Sequence, residues 1–340
     1  SRMMQGIDLL NENTTALKAF IIANRAMWLQ QCHFGLKNRN SIDDENFENP
    51  ASNLSDYSGR GWRPFQLAFI LINLKSLPNF EEPEPEFKEE IDLIWFPTGG
   101  GKTEAYLGLS AYAIVYNRLI DEVNHFGVEV LMRYTLRLLT SQQFQRAATL
   151  ICALEYIKKR ENLETLEAEQ FSNSQELSIG LWVGQSLTPN TNKDAVSKKR
   201  NLKPGNNPFQ ILSCPWCKLS LENPLNQNAP TYDGYRVKGV RENQEVVLQC
   251  PDQSCHFGSH QLPIYVVDDQ LYKSPPTILI GTVDKFAQIS WKNEPKKFFG
   301  IKNELKPPSL IIQDELHLIS GPLGSVVGHY EYLIRMLCKE

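Results

Sequence analysis

A glycine-rich turn between an apolar run and a helical pattern restricts the possible folds of this chain more strongly than its composition does. The apolar run covers residues 91–95, the turn reads Phe96-Pro-Thr-Gly-Gly-Gly-Lys-Thr103, and residues 104–112 follow with helical spacing. This order predicts a strand, a tight turn and a helix, which together build a phosphate-binding loop. Backbone N–H groups of such a turn, with the positive end of the helix dipole, bind phosphate oxygens. The motif therefore indicates a nucleoside triphosphate as the ligand.

The residues of the turn have separate expected roles. Lys102 is expected to reach the β- and γ-phosphates, and the Thr103 hydroxyl to bind Mg²⁺. The turn departs from the general pattern at Phe96, where that pattern has a glycine. An ordinary glycine-rich turn is the alternative interpretation. The rest of the phosphate cradle is expected to come from Thr98, Gly99, Gly100 and Gly101.

A second motif, Leu310-Ile-Ile-Gln-Asp-Glu-Leu-His317, places two acids at the end of a short apolar run. In phosphate-loop enzymes an Asp at such a strand end holds Mg²⁺, so Asp314 is the expected second metal ligand. Glu315 is then placed to orient or deprotonate the attacking water. His317 is expected to couple the nucleotide site to a bound polymer. Alone, this motif also fits a strand followed by a charged turn, but paired with Lys102 it predicts a catalytic set.

The composition is typical of a soluble globular protein with one large or two ordinary domains. The chain has 340 residues, of which 41% are hydrophobic and 22% are charged. Its net charge of −4 provides no global basic field, so a nucleic-acid surface would have to be local. No apolar run approaches the length of a membrane span, so we expect no membrane partner. Seven cysteines, including two close pairs with metal-binding spacing, indicate a reducing, cytoplasmic setting.

Apolar runs that alternate with helical segments predict an α/β fold built on a parallel, doubly wound sheet. Besides residues 91–95, strands are expected near 128–132, 177–184, 277–286 and 310–313. One continuous helix is expected over residues 8–34. The expected division of the chain is an N-terminal helical segment with a linker over 1–61, the first part of the α/β domain over 62–187, an insertion over 188–272, and the second part of the domain over 273–340.

The insertion contains two cysteine pairs, Cys214-Pro-Trp-Cys217 and Cys250-Pro-Asp-Gln-Ser-Cys255. Two such pairs separated by a few tens of residues predict a four-thiolate, tetrahedral Zn²⁺ site. With four ligands and no open position, the zinc is expected to be structural rather than catalytic. His256 is a candidate substitute ligand, because the second pair has four intervening residues. Reduced cysteines without a metal are the alternative.

Three further features bear on the structure and function. The first completes the insertion, and each of the other two has two interpretations. Residues 231–238 and 245–249 are the expected hairpin strands of a zinc ribbon. The basic residues of 193–203 lie in a loop-like context, where they would either contact a phosphate backbone or form a solvated charge run. Gln66, upstream of the phosphate loop, fits both a residue that reads the adenine edge and a helix-capping residue.

The phosphate loop, the acidic motif and the cysteine module together resemble the first RecA-like domain of superfamily 2 helicases. The resemblance implies a RecA-like P-loop fold, ATP and Mg²⁺ as ligands, and DNA bound through sequence-independent backbone contacts. Within it, Arg63-Pro-Phe-Gln66 resembles the adenine-reading motif. Each of the implied DNA contacts also fits an ordinary polar residue at a helix or strand end. The implied contacts are Arg137, Gln142, Thr282 and Lys285.

Residues 95–106 and 313–324 more specifically resemble the large helicase subunit of the bacterial DISARM anti-phage system, and the resemblance extends over about residues 63–340. It implies a second defence-system subunit as partner and a role in sensing or remodelling foreign DNA. Two departures are visible: no motif III triplet is evident, and motifs IV to VI are lacking before Glu340. In this family the second RecA-like domain supplies an arginine finger, which contributes about 10³–10⁵ in rate. We therefore expect these residues alone to bind ATP weakly and hardly to hydrolyse it.

The interpretation that unites these features is an ATP-dependent DNA helicase or translocase subunit of an anti-phage defence complex. An alternative is a nucleotide-dependent clamp that binds DNA or a partner without unwinding. A third is a P-loop ATPase that acts on protein, which the modest negative charge favours.

Overall fold

The computed structural model describes most of the chain. The described residues are 1–42, 61–77, 91–93, 95, 100–120, 127–134, 137–160, 168–202, 207–222, 233–301, 305–319 and 322–338.

A five-stranded parallel sheet forms the centre of the described structure, in the order β5-β2-β6-β1-β7. Every residue of β1, β2 and β6 is buried, as expected for parallel strands covered by helices on both faces. The five strands are β1 (Val130–Tyr134), β2 (Ile179–Trp182), β5 (Ile264–Tyr265), β6 (Ile278–Thr282) and β7 (Leu310–Gln313). The α/β class and four of the predicted strands are thus confirmed.

Helices surround this sheet, and most of them follow the apolar periodicity of the sequence. In chain order they are α1 (Arg2–Glu12), α2 (Thr14–Phe34), α3 (Pro64–Asn73), α4 (Lys102–Ile120), α5 (Arg137–Arg160), α6 (Glu169–Asn173), α7 (Asn192–Arg200), α8 (Asp268–Lys273), α9 (Val283–Phe286) and α10 (Pro322–Leu337). No helix in the described part of the chain combines the length and the apolar character needed to cross a membrane.

The N-terminal helices belong to the main hydrophobic core. Helix α2 packs against α4 and α5 through small residues, among them Ala16, Ala19 and Ala26, which are all 0% exposed. The same apolar cluster extends from α2 through the sheet to the cysteine module. The predicted helix over 8–34 is two helices, because the Asn13 side chain accepts a hydrogen bond from Ala16 N at 2.9 Å and starts a new helix there.

The predicted strand over residues 91–95 is wrong for the residues described. Ile91, Leu93 and Trp95 lie outside any strand and are 76%, 71% and 89% exposed. The guanidinium of Arg2 donates to both carboxylate oxygens of Asp92, at 2.8 and 2.7 Å, which ties this segment to α1 instead of the sheet. Among the described residues, β7 therefore pairs only with β1 and its four residues are only partly buried.

The hairpin of the insertion is confirmed, and the loop predicted before it is partly helical. Strands β3 (Tyr235–Lys238) and β4 (Glu245–Leu248) pair antiparallel. The basic segment forms α7 because Thr191 caps it, accepting from Asp194 N at 3.2 Å. Two of its lysines are paired with acids: Lys198 lies 2.9 Å from Asp194, and Lys199 lies 2.7 Å from Asp233. This segment is therefore a helix with an internal ion pair.

Candidate nucleotide site and cysteine cluster

Two side chains of α3 hold the turn at the start of α4. The guanidinium of Arg63 donates to the Gly100 carbonyl at 2.7 Å, and the Gln66 amide donates to the Gly101 carbonyl at 2.7 Å. Gly101 has a φ of +92°, a left-handed conformation that glycine adopts without steric cost. A Cβ at this position would lie 2.6 Å from Nε2 of Gln66. Position 101 therefore requires glycine for its backbone conformation, and a Cβ there would also displace the end of the Gln66 side chain from the turn.

The first turn of α4 presents the two residues that sequence predicted as phosphate and metal contacts. Lys102 begins the helix and is partly buried, and Thr103 follows it and is buried. Unpaired N–H groups and the positive end of the helix dipole favour an anion at such a terminus. Thr98 and Gly99, the other predicted members of the cradle, lie outside the described residues.

Gln66 acts as a capping residue of α3. Its Oε1 accepts a hydrogen bond from Arg63 N at 2.8 Å, while its Nε2 donates to the turn carbonyl described above. The side chain is 5% exposed. The capping interpretation is thus present in the structure, and the adenine contact stays a prediction.

The two acids after β7 are fixed by their own backbone. Asp314 Oδ1 accepts a hydrogen bond from Glu315 N at 2.9 Å, and Asp314 N donates to the Arg133 carbonyl of β1 at 3.0 Å. Glu315 has a φ of +50°, a left-handed conformation that is costly for a residue with a side chain. His317 Nδ1 lies 3.3 Å from a Glu315 carboxylate oxygen. Such strain is concentrated at functional sites, which makes this turn a candidate site in its own right.

A pair of buried tyrosines joins the helix terminus to the acidic turn. The hydroxyl of Tyr106 lies 3.3 Å from Thr103 Oγ1, 3.0 Å from the Tyr134 hydroxyl and 2.9 Å from Asp314 Oδ2. Tyr106 is 5% exposed and Tyr134 is 1% exposed. The structure therefore brings Thr103 and Asp314, 211 positions apart in the numbering, to one phenol oxygen.

Both phenols stay protonated over the physiological range. Burial, followed by the neighbouring Tyr134 and Asp314, raises the pKa of Tyr106 well above its usual value. Burial and the Asp314 carboxylate likewise raise the pKa of Tyr134. Each hydroxyl is therefore a hydrogen-bond donor as well as an acceptor.

Two of the four predicted DNA contacts face the interior. Thr282 is 0% exposed and Lys285 is 2% exposed. The Lys285 ammonium donates to the Asp268 carboxylate at 2.7 Å and to the Val183 carbonyl at 3.0 Å. Burial raises the pKa of Asp268, and the adjacent Lys285 opposes this shift. In this arrangement Lys285 neutralises a buried acid, and a phosphate contact would require that ion pair to open.

The other two predicted contacts lie at the start of α5. Arg137 is its first residue, and the Gln142 side chain is exposed. Because α5 follows the carboxyl end of β1, these residues share the sheet edge on which ligands of open α/β sheets bind.

The four cysteines of the insertion form one buried cluster. The sulfur atoms of Cys214, Cys217, Cys250 and Cys255 all lie within 4.8 Å of one another. The four residues are between 0% and 8% exposed. A Zn²⁺ ion with tetrahedral Zn–S bonds of about 2.3 Å separates its sulfur ligands by about 3.8 Å. The cluster therefore fits a structural zinc ion.

The pKa values of the thiols in this cluster are shifted in opposite directions. Hydrogen bonds from Cys214, Cys250 and Cys255 lower the pKa of Cys217. Burial raises the pKa of Cys214. A bound metal would deprotonate all four, since thiolates are its ligands. His256 is not a member of the cluster.

The N-terminal segment closes over the cysteine cluster. His33, at the end of α2, lies 2.7 Å through Nδ1 from the Trp216 carbonyl, within the first cysteine pair. The Arg39 guanidinium lies 3.1 Å from the Asp252 carboxylate, within the second pair, and both side chains are buried. The backbone of Arg39 also forms a bridge with Leu219. One short segment thus contacts both halves of the cluster.

Sequence reasoning missed four residues that organise these sites. Tyr106 and Tyr134 resemble ordinary core aromatics in sequence, although Tyr106 lies three residues after Thr103, on the same helix face. His33 and Arg39 lie far from the cysteines along the chain and carry no motif. Only the fold brings them to the sites.

Comparison with known proteins gives one clear relationship. No protein-family model matches the chain. The chain is similar to the DISARM protein DrmA of Bacillus paralicheniformis, with 36% identity over 383 aligned positions. The alignment covers 99% of this chain and 32% of DrmA, so the chain spans about a third of the length of the curated relative it matches. The chain is therefore similar to a DISARM protein over almost its whole length.

Proposed function

We propose that this chain carries the nucleotide site of an ATP-dependent DNA helicase or translocase that is a subunit of an anti-phage defence complex. Its relationship to a DISARM protein supports the defence role. One observation carries the enzymatic part: Thr103, at the start of α4, and Asp314, at the end of β7, lie within hydrogen-bond distance of the same phenol. A helix N-terminus and a strand-end carboxylate at one sheet edge are what a metal-bound nucleotide needs.

In this proposal the phosphates of ATP lie over the N-terminus of α4. Lys102 neutralises the β- and γ-phosphates, and the backbone from Thr98 to Gly101 cradles them. Arg63 and Gln66 hold the turn through its carbonyls and complete the adenine side of the pocket.

Mg²⁺ would be held by Thr103 and Asp314. The donor set fits the ion, because a hydroxyl and a carboxylate are the hard oxygen ligands that Mg²⁺ prefers. When bound there, Mg²⁺ would supply the positive charge that offsets the negative charge developing during phosphoryl transfer. Glu315, held beside Asp314 by the strained turn, would orient or deprotonate the attacking water.

DNA would lie across the edge at which α5 begins, with Arg137 and Gln142 in contact with its backbone. Such contacts position a strand without reading its sequence. A further subunit of the defence system would be the protein partner. Turnover would also need a second RecA-like domain, which would supply an arginine finger.

The test uses the full-length protein and measures ATP hydrolysis with and without single- or double-stranded DNA. Lys102→Ala should abolish hydrolysis, because it removes the main phosphate charge. Lys273→Ala, an exposed lysine at the end of α8, is the matched control and should leave hydrolysis unchanged. Equal rates for wild type and Lys102→Ala would contradict the proposal.

A second candidate is a nucleotide-dependent clamp that binds DNA or a partner without unwinding. The burial of Thr282 and Lys285 favours it, since fewer polar groups then face a nucleic acid at this edge. Strand displacement by the full-length protein separates the two candidates, because a clamp would bind DNA in an ATP-dependent manner but displace no strand.

A further inference from the structure

Tyr106 occupies a position from which it touches both proposed magnesium ligands. It lies one helical turn after Thr103, so the two side chains are on the same face of α4. Its phenol reaches across to Asp314 Oδ2 at 2.9 Å. The other oxygen of that carboxylate, Oδ1, accepts from Glu315 N, so both oxygens have a fixed donor.

The hydrogen bonds of this phenol can be assigned by counting protons. A phenol has one proton to donate and two lone pairs that accept. The shortest of its three contacts is to the carboxylate, and a charged acceptor forms the stronger bond, so the proton belongs on the Asp314 side. Thr103 Oγ1, at 3.3 Å, accepts a longer contact from the same phenol proton, and Tyr134 at 3.0 Å donates to Tyr106.

We propose that Tyr106 is a positioning residue for magnesium, which orients the Thr103 hydroxyl and the Asp314 carboxylate before the ion binds. This inference rests on the proposed function. The phenol contacts Thr103 Oγ1 at 3.3 Å and Asp314 Oδ2 at 2.9 Å, and so holds these two oxygens close to one another at one point of the site. Groups behind metal ligands commonly contribute in this way, and their removal weakens metal binding about 10–100-fold.

Tyr134 supports the same arrangement from the sheet. It is the last residue of β1 and pairs in register with Thr282 of β6, so its position is set by the strand. Its hydroxyl donates to Tyr106 and therefore favours the assignment in which Tyr106 donates to Asp314. Loss of this hydroxyl should have a smaller effect, because it touches neither proposed ligand in the described contacts.

The chain offers a matched control on the same helix. Tyr112 also lies in α4 and is 0% exposed, and its hydroxyl has no hydrogen-bond partner among the residues that the structure describes. Tyr112→Phe therefore removes the same atom from the same helix without touching the site.

The experiment measures Mn²⁺ binding to the full-length protein in the presence of ADP, by electron paramagnetic resonance. Tyr106→Phe should raise the Kd for Mn²⁺ about 10–100-fold. Tyr112→Phe should leave it unchanged, and Tyr134→Phe should fall between the two. ADP binding in excess EDTA should be the same in all four proteins, because the phenol acts on the metal ligands and not on the phosphate cradle. Thermal unfolding of each variant shows that the fold is retained.

The Asp314→Asn background tests whether Tyr106 acts on Mn²⁺ binding through Asp314 or has only a structural role. If Tyr106 acts through Asp314, the effect of Tyr106→Phe on Mn²⁺ binding should become smaller in the Asp314→Asn background. An unchanged Mn²⁺ affinity in Tyr106→Phe would overturn the inference while leaving the nucleotide site in place. Failure of the wild-type protein to bind ADP at all would overturn the proposed function and this inference with it.

Discussion

The imidazole of His33 stacks on the indole of Trp216, with ring centroids 3.6 Å apart and planes inclined by 20°. Helix α2 ends at this stack, and the first cysteine pair flanks it. The N-terminal segment is therefore a structural part of the cysteine module, although the two are far apart in sequence.

This stack predicts a loss of stability in acid. Burial lowers the pKa of His33 from 6.5 to about 4. In the unfolded chain this imidazole is protonated below about pH 6.5, whereas in the folded chain it is protonated only below about pH 4. The free energy of unfolding therefore falls as the pH falls through this window. The effect of this group is at most about 3 kcal/mol. Urea unfolding of wild type and His33→Phe between pH 4 and 7.5 checks it: the variant should show the shallower slope, and identical slopes would contradict the assignment.

Removal of one cysteine ligand should release the metal. Cys214→Ser leaves three thiolates, which hold Zn²⁺ less tightly than a complete tetrahedral set. Metal analysis of the purified protein should find about one zinc ion per wild-type chain and clearly less in the variant. Cys338→Ser is the control, because Cys338 is partly buried and outside the cluster. Equal zinc content in all three proteins would rule out the site.

The Lys285–Asp268 ion pair should contribute to stability rather than directly to DNA binding. Lys285→Met leaves a buried carboxylate without its cation, at a cost of about 3–5 kcal/mol. The double variant Lys285→Met with Asp268→Leu should recover most of this loss, because neither charge remains. Denaturant unfolding measures both effects. Gln142→Ala, on an exposed side chain, should leave stability unchanged and is the cleaner probe of DNA contact.

The turn before α4 should not tolerate a side chain at Gly101. Gly101→Ala combines a φ of +92° with a Cβ placed 2.6 Å from the Gln66 amide. We expect a loss of about 1–3 kcal/mol in stability and a large loss of nucleotide affinity. Gly328→Ala in α10 has open space around its Cβ and should stabilise by about 0.5–1 kcal/mol. Equal unfolding midpoints for the two variants would show that the turn is not constrained as described.

The parts of the fold that could be predicted are those determined by the local sequence. The buried strands β1, β2 and β6 are short apolar runs rich in branched residues, and such runs form parallel strands in many contexts. The cysteine cluster was predicted from spacing alone, because the chemistry of tetrahedral thiolate sites limits that spacing.

The rest depended on contacts between distant residues. In sequence, Lys285 is indistinguishable from a surface lysine, and only the fold places Asp268 of α8 beside it. The apolar side chains of Ile91 and Leu93 likewise do not indicate that both are exposed. The role of Tyr106 depends on Asp314, 208 residues away. Local pattern carries no information on such pairs.

The bridge from Arg39 to Asp252 also has a consequence for how the protein is made. The two residues are 213 positions apart. Because ribosomes add about 5–20 residues per second, Asp252 is synthesised on the order of 10–40 s after Arg39. Helices α4 and α5, which pack against α2, are synthesised within that interval, but the second cysteine pair is completed only after it. Contacts with such long sequence separation also form slowly once the chain is complete. The segment around Arg39 is thus synthesised well before the cysteine module, and it reaches its final packing only when that module is present.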